Sequence, residues 1–191
     1  MLKFTDINEN KISINLIIVD VQNEFKQFIP NGFVDSLFKY CENFDKVYQI
    51  WDTNKAQKPS YRFPNEAKVI NKKYGTKFSE NLKETIDELN QKYPNAVEGD
   101  MYEFDDANSY VVKVNNNHQW FYVPEDMSKL FNELKNKKCI LVGGADRECL
   151  QDVYVAMLSF GCKVKYDKRF VYSANNSHKQ IFNPKTQPSL L

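Results

Sequence analysis

Apolar positions along the chain fall into two periods. Ile14 to Asp20 reads INLIIVD, a near-continuous β-branched run closed by an acid. Parallel strands buried on both faces look like this. Phe33, Leu37, Tyr40, Cys41 and Phe44 recur at helical spacing, after a loop whose turn signal is Pro30-Asn31-Gly32. Lys46 to Trp51 is a second strand, again followed by an acid, Asp52. Thr53 to Tyr74 carries Pro59, Pro64 and much charge, and reads as a long loop with a short helix near Glu66 to Lys72. Ser79 is placed to cap a helix through Leu89, with Leu82, Ile86 and Leu89 on one face and Pro94 beyond its end. Ala96 to Phe104 is ambiguous and holds at most one short strand. Tyr110 to Val114, YVVKV, is a strand, and Pro124 to Asn136 a helix with Met127, Leu130, Phe131 and Leu134 inward.

The densest pattern is KCILVGGADRECLQDVYVAMLSF, Lys138 to Phe160. Cys139 to Val142 make a strand, and Gly143, Gly144 and Ala145 a tight turn. Leu150, Val153, Tyr154, Met157 and Phe160 then mark a helix. Gly161 stops it, and Lys163 to Tyr166 is the last strand. Residues 1–12 and the tail 173–191 are polar and expected at the periphery. Strands alternate with helices throughout, with no repeat and no linker. That predicts one α/β domain, residues 1–191, with a parallel sheet between helices on both faces.

Composition changes this picture little. At 191 residues and 42% hydrophobic, the chain can bury a core and is not a disordered one. A net charge of +1 gives no reason to expect nucleic acid or a membrane surface as partner. No apolar run is long enough to span a membrane, and the N-terminal residues lack a signal-peptide core. The four cysteines have no CxxC spacing, so a reduced, cytoplasmic protein is expected.

Ligands of open parallel sheets bind outside the carboxyl ends of the strands. The chain sets a reactive side chain at three such ends: Asp20, Lys113 and Cys149. Cys149 lies at a helix start, where unpaired N–H groups and the helix dipole favour a thiolate. Asp20 can accept the thiol proton and return it to a leaving amine. Lys113 supplies a fixed positive charge. N–H groups near Ala145 and Cys149 can bind an oxyanion. Each residue also has a plain structural reading: a small buried thiol, a turn acid, an edge lysine. Their conjunction carries more than any member. Cys41, Cys139 and Cys162 are read as packing.

Three ordered segments resemble the isochorismatase-like cysteine hydrolases, a family that includes nicotinamidases and N-carbamoyl-amide hydrolases. They are Ile18-Val19-Asp20-Val21-Gln22-Asn23-Glu24-Phe25, then Val111-Val112-Lys113, then Val142-Gly143-Gly144-Ala145-Asp146-Arg147-Glu148-Cys149-Leu150. The resemblance implies a parallel, mostly six-stranded sheet in a three-layer sandwich. It implies Asp20 as base, Lys113 as its charged partner, Cys149 as nucleophile and a cis peptide between Gly144 and Ala145. It further implies a dimer or tetramer of identical chains.

The chain departs from the family in two places. Nicotinamidases bind a metal through histidines after the second strand, where this chain reads Trp51-Asp52-Thr53-Asn54-Lys55. No metal and no other cofactor is therefore expected; Asp52 alone is a weak ligand candidate and is read first as a turn residue. Asp146, Arg147 and Glu148 are also more charged than the family pattern. The loop Asn115 to Tyr122 is expected to cover the site, with Phe25, His118, Trp120 and Phe121 shaping a pocket for a small-molecule substrate; ordinary packing stands as the alternative for Trp120 and Phe121. The leading reading is a hydrolase of small amide or carbamoyl C–N bonds acting through an acyl thioester. The alternatives are an inactive binding or oligomerisation protein of the same fold and a hydrolase of an isochorismate-like vinyl ether. A nucleotide-binding module is disfavoured because GGADRE lacks the GxGxxG pattern.

Overall fold

The computed structural model describes residues 13–72, 82–104, 106–114 and 120–174. Residues 1–12 and 175–191 of the polar ends, the predicted cap at Ser79 and the loop residues 115–119 lie outside these. The central sheet has five parallel strands: β1 (Ile14–Val19), β2 (Lys46–Asp52), β3 (Glu66–Lys72), β7 (Lys138–Gly143) and β8 (Lys163–Val171). Their order is β3-β2-β1-β7-β8, so β1 lies at the centre. It pairs Val19 with Ile50 on one side and with Gly143 on the other.

Alternation along β1 divides the core. Ile17 and Val19 join Ile50, Leu141 and two helices, α3 (Glu125–Glu133) and α4 (Cys149–Ser159). Leu16 and Ile18 face the other way, onto Val142 and α1 (Phe33–Cys41). α1 buries Phe33, Leu37 and Cys41, one apolar stripe at steps of four. α4 buries Leu150, Val153, Val155, Ala156 and Met157, close to all-round burial. Each Leu, Val, Phe or Met removed from water contributes roughly 1.5–3 kcal/mol before conformational entropy is counted, so the apolar runs dominate the fold.

A second, three-stranded antiparallel sheet is built from β4 (Met101–Phe104), β5 (Asp106–Lys113) and β6 (Trp120–Val123). Its two faces follow the same parity rule. Val112, Val114, Phe121 and Val123 enter the main core. Val111 and Trp120 pack with Leu89 of α2 (Leu82–Lys92).

Four expectations are corrected here. The parallel sheet has five strands rather than six. YVVKV is the middle strand of the small sheet and no part of the parallel one. Trp120 to Tyr122 form a strand, not a covering loop. Glu66 to Lys72 is an edge strand, not a helix. An edge strand hides its period: Ile70 and Lys72 share a buried face, while Ala67, Lys68 and Asn71 are exposed.

Candidate active site

The carboxyl ends of the parallel strands bring three side chains together. Asp20 follows β1 and is 1% exposed. Its backbone turns out of the strand at φ 53°, in the left-handed region that Asp tolerates better than most residues. Its N–H donates to the Ile50 carbonyl at 2.9 Å. Lys72 closes β3, in register with Asp52 at the end of β2. Its ammonium is 1% exposed and ion-pairs with Asp20 Oδ2. Cys149 begins α4, six residues beyond the end of β7.

The sequence predicts Lys113 in this role, and the structure puts it elsewhere. Lys113 Nζ donates to Asn90 Oδ1 at 2.8 Å and lies 4.7 Å from the Trp120 ring centroid. The parity of β5 explains it. Val112 and Val114 point to the main core, so Lys113 is turned to the opposite face, towards α2.

The turn between β7 and α4 is shaped by its glycines. Gly143 sits at φ 105°, and a Cβ there would lie 2.0 Å from the Val19 carbonyl oxygen. A Cβ on Gly144 would come within 2.5 Å of the Tyr172 ring. The Gly144–Ala145 peptide is cis. Gly144 donates to Val19 O, Asp146 to Tyr172 O, and Glu148 and Leu150 both to Ala145 O. Among the described residues the N–H groups of Ala145 and Cys149 donate no backbone hydrogen bond. They remain available to an oxyanion.

Electrostatics follow from burial. Desolvation raises the Asp20 pKa above its ordinary value, Lys72 opposes that, and the charge of Asp52 adds to it. Burial also works against the Lys72 ammonium, but attraction to Asp20 and then Cys149 outweighs it and leaves its pKa raised. The pairing thus favours the Lys72 ammonium, while burial disfavours the Asp20 carboxylate. Burial pushes the Cys149 thiol up to about 12; Lys72 pulls it down while Asp20 and Asp152 push it further up. That direction favours the thiol and runs against the thiolate that the helix position alone would favour. One turn of helix dipole, worth about 0.3–1 kcal/mol, does not outweigh desolvation here. Asp20 Oδ1 is buried and accepts no hydrogen bond among the described residues. A carboxylate oxygen left open beside a thiol is placed to take its proton.

Of the four cysteines, Cys149 alone is not fully buried. Burial raises Cys41 and Cys139 to about 12 and Cys162 to about 11.

The proposed pocket residues separate. Phe25 is half-buried against the cluster that holds Val21 and Ala145. Trp120 packs on Val111 and Leu89 and donates to Asn90 Oδ1 at 3.0 Å. Phe121 is 1% exposed inside the main core. Both are packing residues, and His118 lies outside the described residues. Gln22 accepts from Asp52 N–H at 2.8 Å and so ties the loop after β1 to the end of β2. Asp52 Oδ1 accepts from Asn54 N–H at 2.9 Å, as a turn residue does. Two groups in the site escaped the sequence reading: Lys72, and Tyr172, whose hydroxyl donates to the Asp20 carbonyl at 2.7 Å.

No helix among the described residues is long and apolar enough to cross a membrane. No family model, curated protein or solved structure matches the chain.

Proposed function

We propose that this protein is a cysteine-dependent hydrolase of a small amide or carbamoyl C–N bond, of the isochorismatase-like kind. The observation that carries the reading is the meeting of Asp20, Lys72 and Cys149 at the ends of β1, β3 and β7. The open Oδ1 of Asp20 gives the thiol proton a destination.

The chemistry follows in two balanced steps. The Cys149 proton passes to Asp20 as Sγ bonds to the carbonyl carbon. The oxyanion is held by the N–H groups of Ala145 and Cys149. Its collapse breaks the C–N bond, and Asp20 returns the proton to the leaving nitrogen. Water then gives a proton to Asp20 and attacks the thioester, and the departing sulfur recovers that proton. Lys72 stays charged throughout and holds the carboxylate that cycles. A neutral resting thiol suits this scheme, because deprotonation is coupled to attack.

The second reading is a non-catalytic protein of the same fold, favoured by a thiol held as high as about 12. Iodoacetamide labelling with peptide mapping separates the two. The hydrolase reading expects Cys149 to react well ahead of the other cysteines, and to slow on removal of Asp20 and Lys72 together. Labelling of Cys149 that is indifferent to that double change favours the non-catalytic reading.

A further inference from the structure

We infer that Tyr172 is a positioning residue that fixes the base against the nucleophile, so that the end of the last strand belongs to the site. The inference rests on the hydrolase reading above. Tyr172 follows β8, more than twenty residues beyond Cys149 in the chain and far from Asp20, yet it touches both loops. Its hydroxyl donates to the Asp20 carbonyl at 2.7 Å. Its N–H donates to Gly143 O at 2.9 Å, and its carbonyl accepts from Asp146 N–H at 2.8 Å. Backbone bonds to Tyr172 thus bracket the nucleophile turn on both sides. The ring lies over Gly144 so closely that no side chain fits there.

The bond to Asp20 is the informative one. Asp20 leaves β1 in the left-handed region, and its side-chain direction depends on holding that conformation. Ile50 O secures the residue's N–H and Tyr172 secures its carbonyl. With both ends held, Oδ2 meets Lys72 and Oδ1 is left open. The tyrosine is 2% exposed and packs edge-on against Phe33, at 6.1 Å between centroids. A buried, protonated hydroxyl in this place is a rigid donor. It touches no reacting atom, so any effect it has on chemistry passes through Asp20.

The test is Tyr172→Phe, which keeps the ring and removes the hydroxyl. The probe is iodoacetamide on Cys149, read as rate against pH. The expected result is a fall on the order of tenfold at neutral pH, short of the roughly hundredfold that a 1 Å misplacement can cost, with the rate profile displaced to higher pH. Phe33→Leu is the packing control: it loosens the ring's support, and is expected to lower the melting temperature without displacing the profile. Asp20→Asn/Lys72→Met tests the underlying reading. If the double variant slows Cys149 and Tyr172→Phe leaves rate and profile unchanged, the positioning role is overturned and the hydrolase reading stands. If neither change alters Cys149, both fall. A profile displaced as much by Phe33→Leu as by Tyr172→Phe also overturns the role, since packing alone then explains it.

Discussion

Replacing Lys72 by Met keeps most of the side-chain volume and removes the charge facing Asp20. Both partners are essentially out of solvent, at 1% and 2% side-chain exposure. Breaking such a pair from one side costs about 3–5 kcal/mol, because the other charge is left buried and alone. For a chain of this length each kcal/mol lowers Tm by roughly 2–4 °C, so a fall on the order of 10 °C is expected. Lys113→Met removes one hydrogen bond to Asn90 and a contact with Trp120, worth about 1 kcal/mol. Asp20→Asn should cost about as much as Lys72→Met, while the double variant returns to within about 1–2 kcal/mol of the parent. Urea unfolding followed by tryptophan fluorescence measures all four. The pH dependence adds a sign. Without Lys72, only the weaker influence of Cys149 opposes the desolvation that raises Asp20 above its ordinary 3.8. A carboxyl with a raised folded pKa is neutral, and least costly, below its unfolded pKa. The penalty of Lys72→Met should therefore be smallest near pH 4 and grow as pH rises towards the folded pKa. Equal losses for Lys72→Met and Lys113→Met, with additive single effects at the Asp20–Lys72 pair, would refute the pairing.

Gly144→Ala should destabilise by about 1–3 kcal/mol, since the new Cβ would lie 2.5 Å from the buried Tyr172 ring; urea unfolding midpoints check this, and an unchanged midpoint would show that the ring moves freely. Cys149→Ala should abolish turnover and leave unfolding within about 1 kcal/mol of the parent, as expected for a small, partly exposed side chain. Turnover should fall as pH drops through the raised pKa of Asp20, because only the carboxylate accepts the thiol proton; a rate flat down to the ordinary carboxyl range would place the base elsewhere.

The sequence was most legible where strands are buried on both faces. INLIIV and CILVG announce themselves as continuous apolar runs, and they lead directly to Asp20 and Cys149. The lysine was not legible for the same reason. YVVKV looks like a core strand ending in a cation, whereas EAKVINK is polar because it lies at a sheet edge. Its period of two shows only in Ile70 and Lys72, and the lysine masks it by counting as a polar position. A lysine two places after a buried isoleucine was the one available signal, and using it needs the edge position in hand. The desolvation that works against a Cys149 thiolate was not legible either, because a helix start can be read from sequence and burial cannot. Tyr172 was invisible for a simpler reason: its partner Asp20 is 152 positions away.

The most direct test of the account is mass spectrometry of the intact protein and its peptides after brief exposure to a panel of activated small amides and carbamoyl compounds. An acyl group on Cys149 alone is expected, disappearing with time as water releases it. It should be absent from Cys149→Ala and accumulate far more slowly on Asp20→Asn/Lys72→Met. An adduct that forms equally well without Asp20 and Lys72, or that never forms on Cys149, would contradict the central claim.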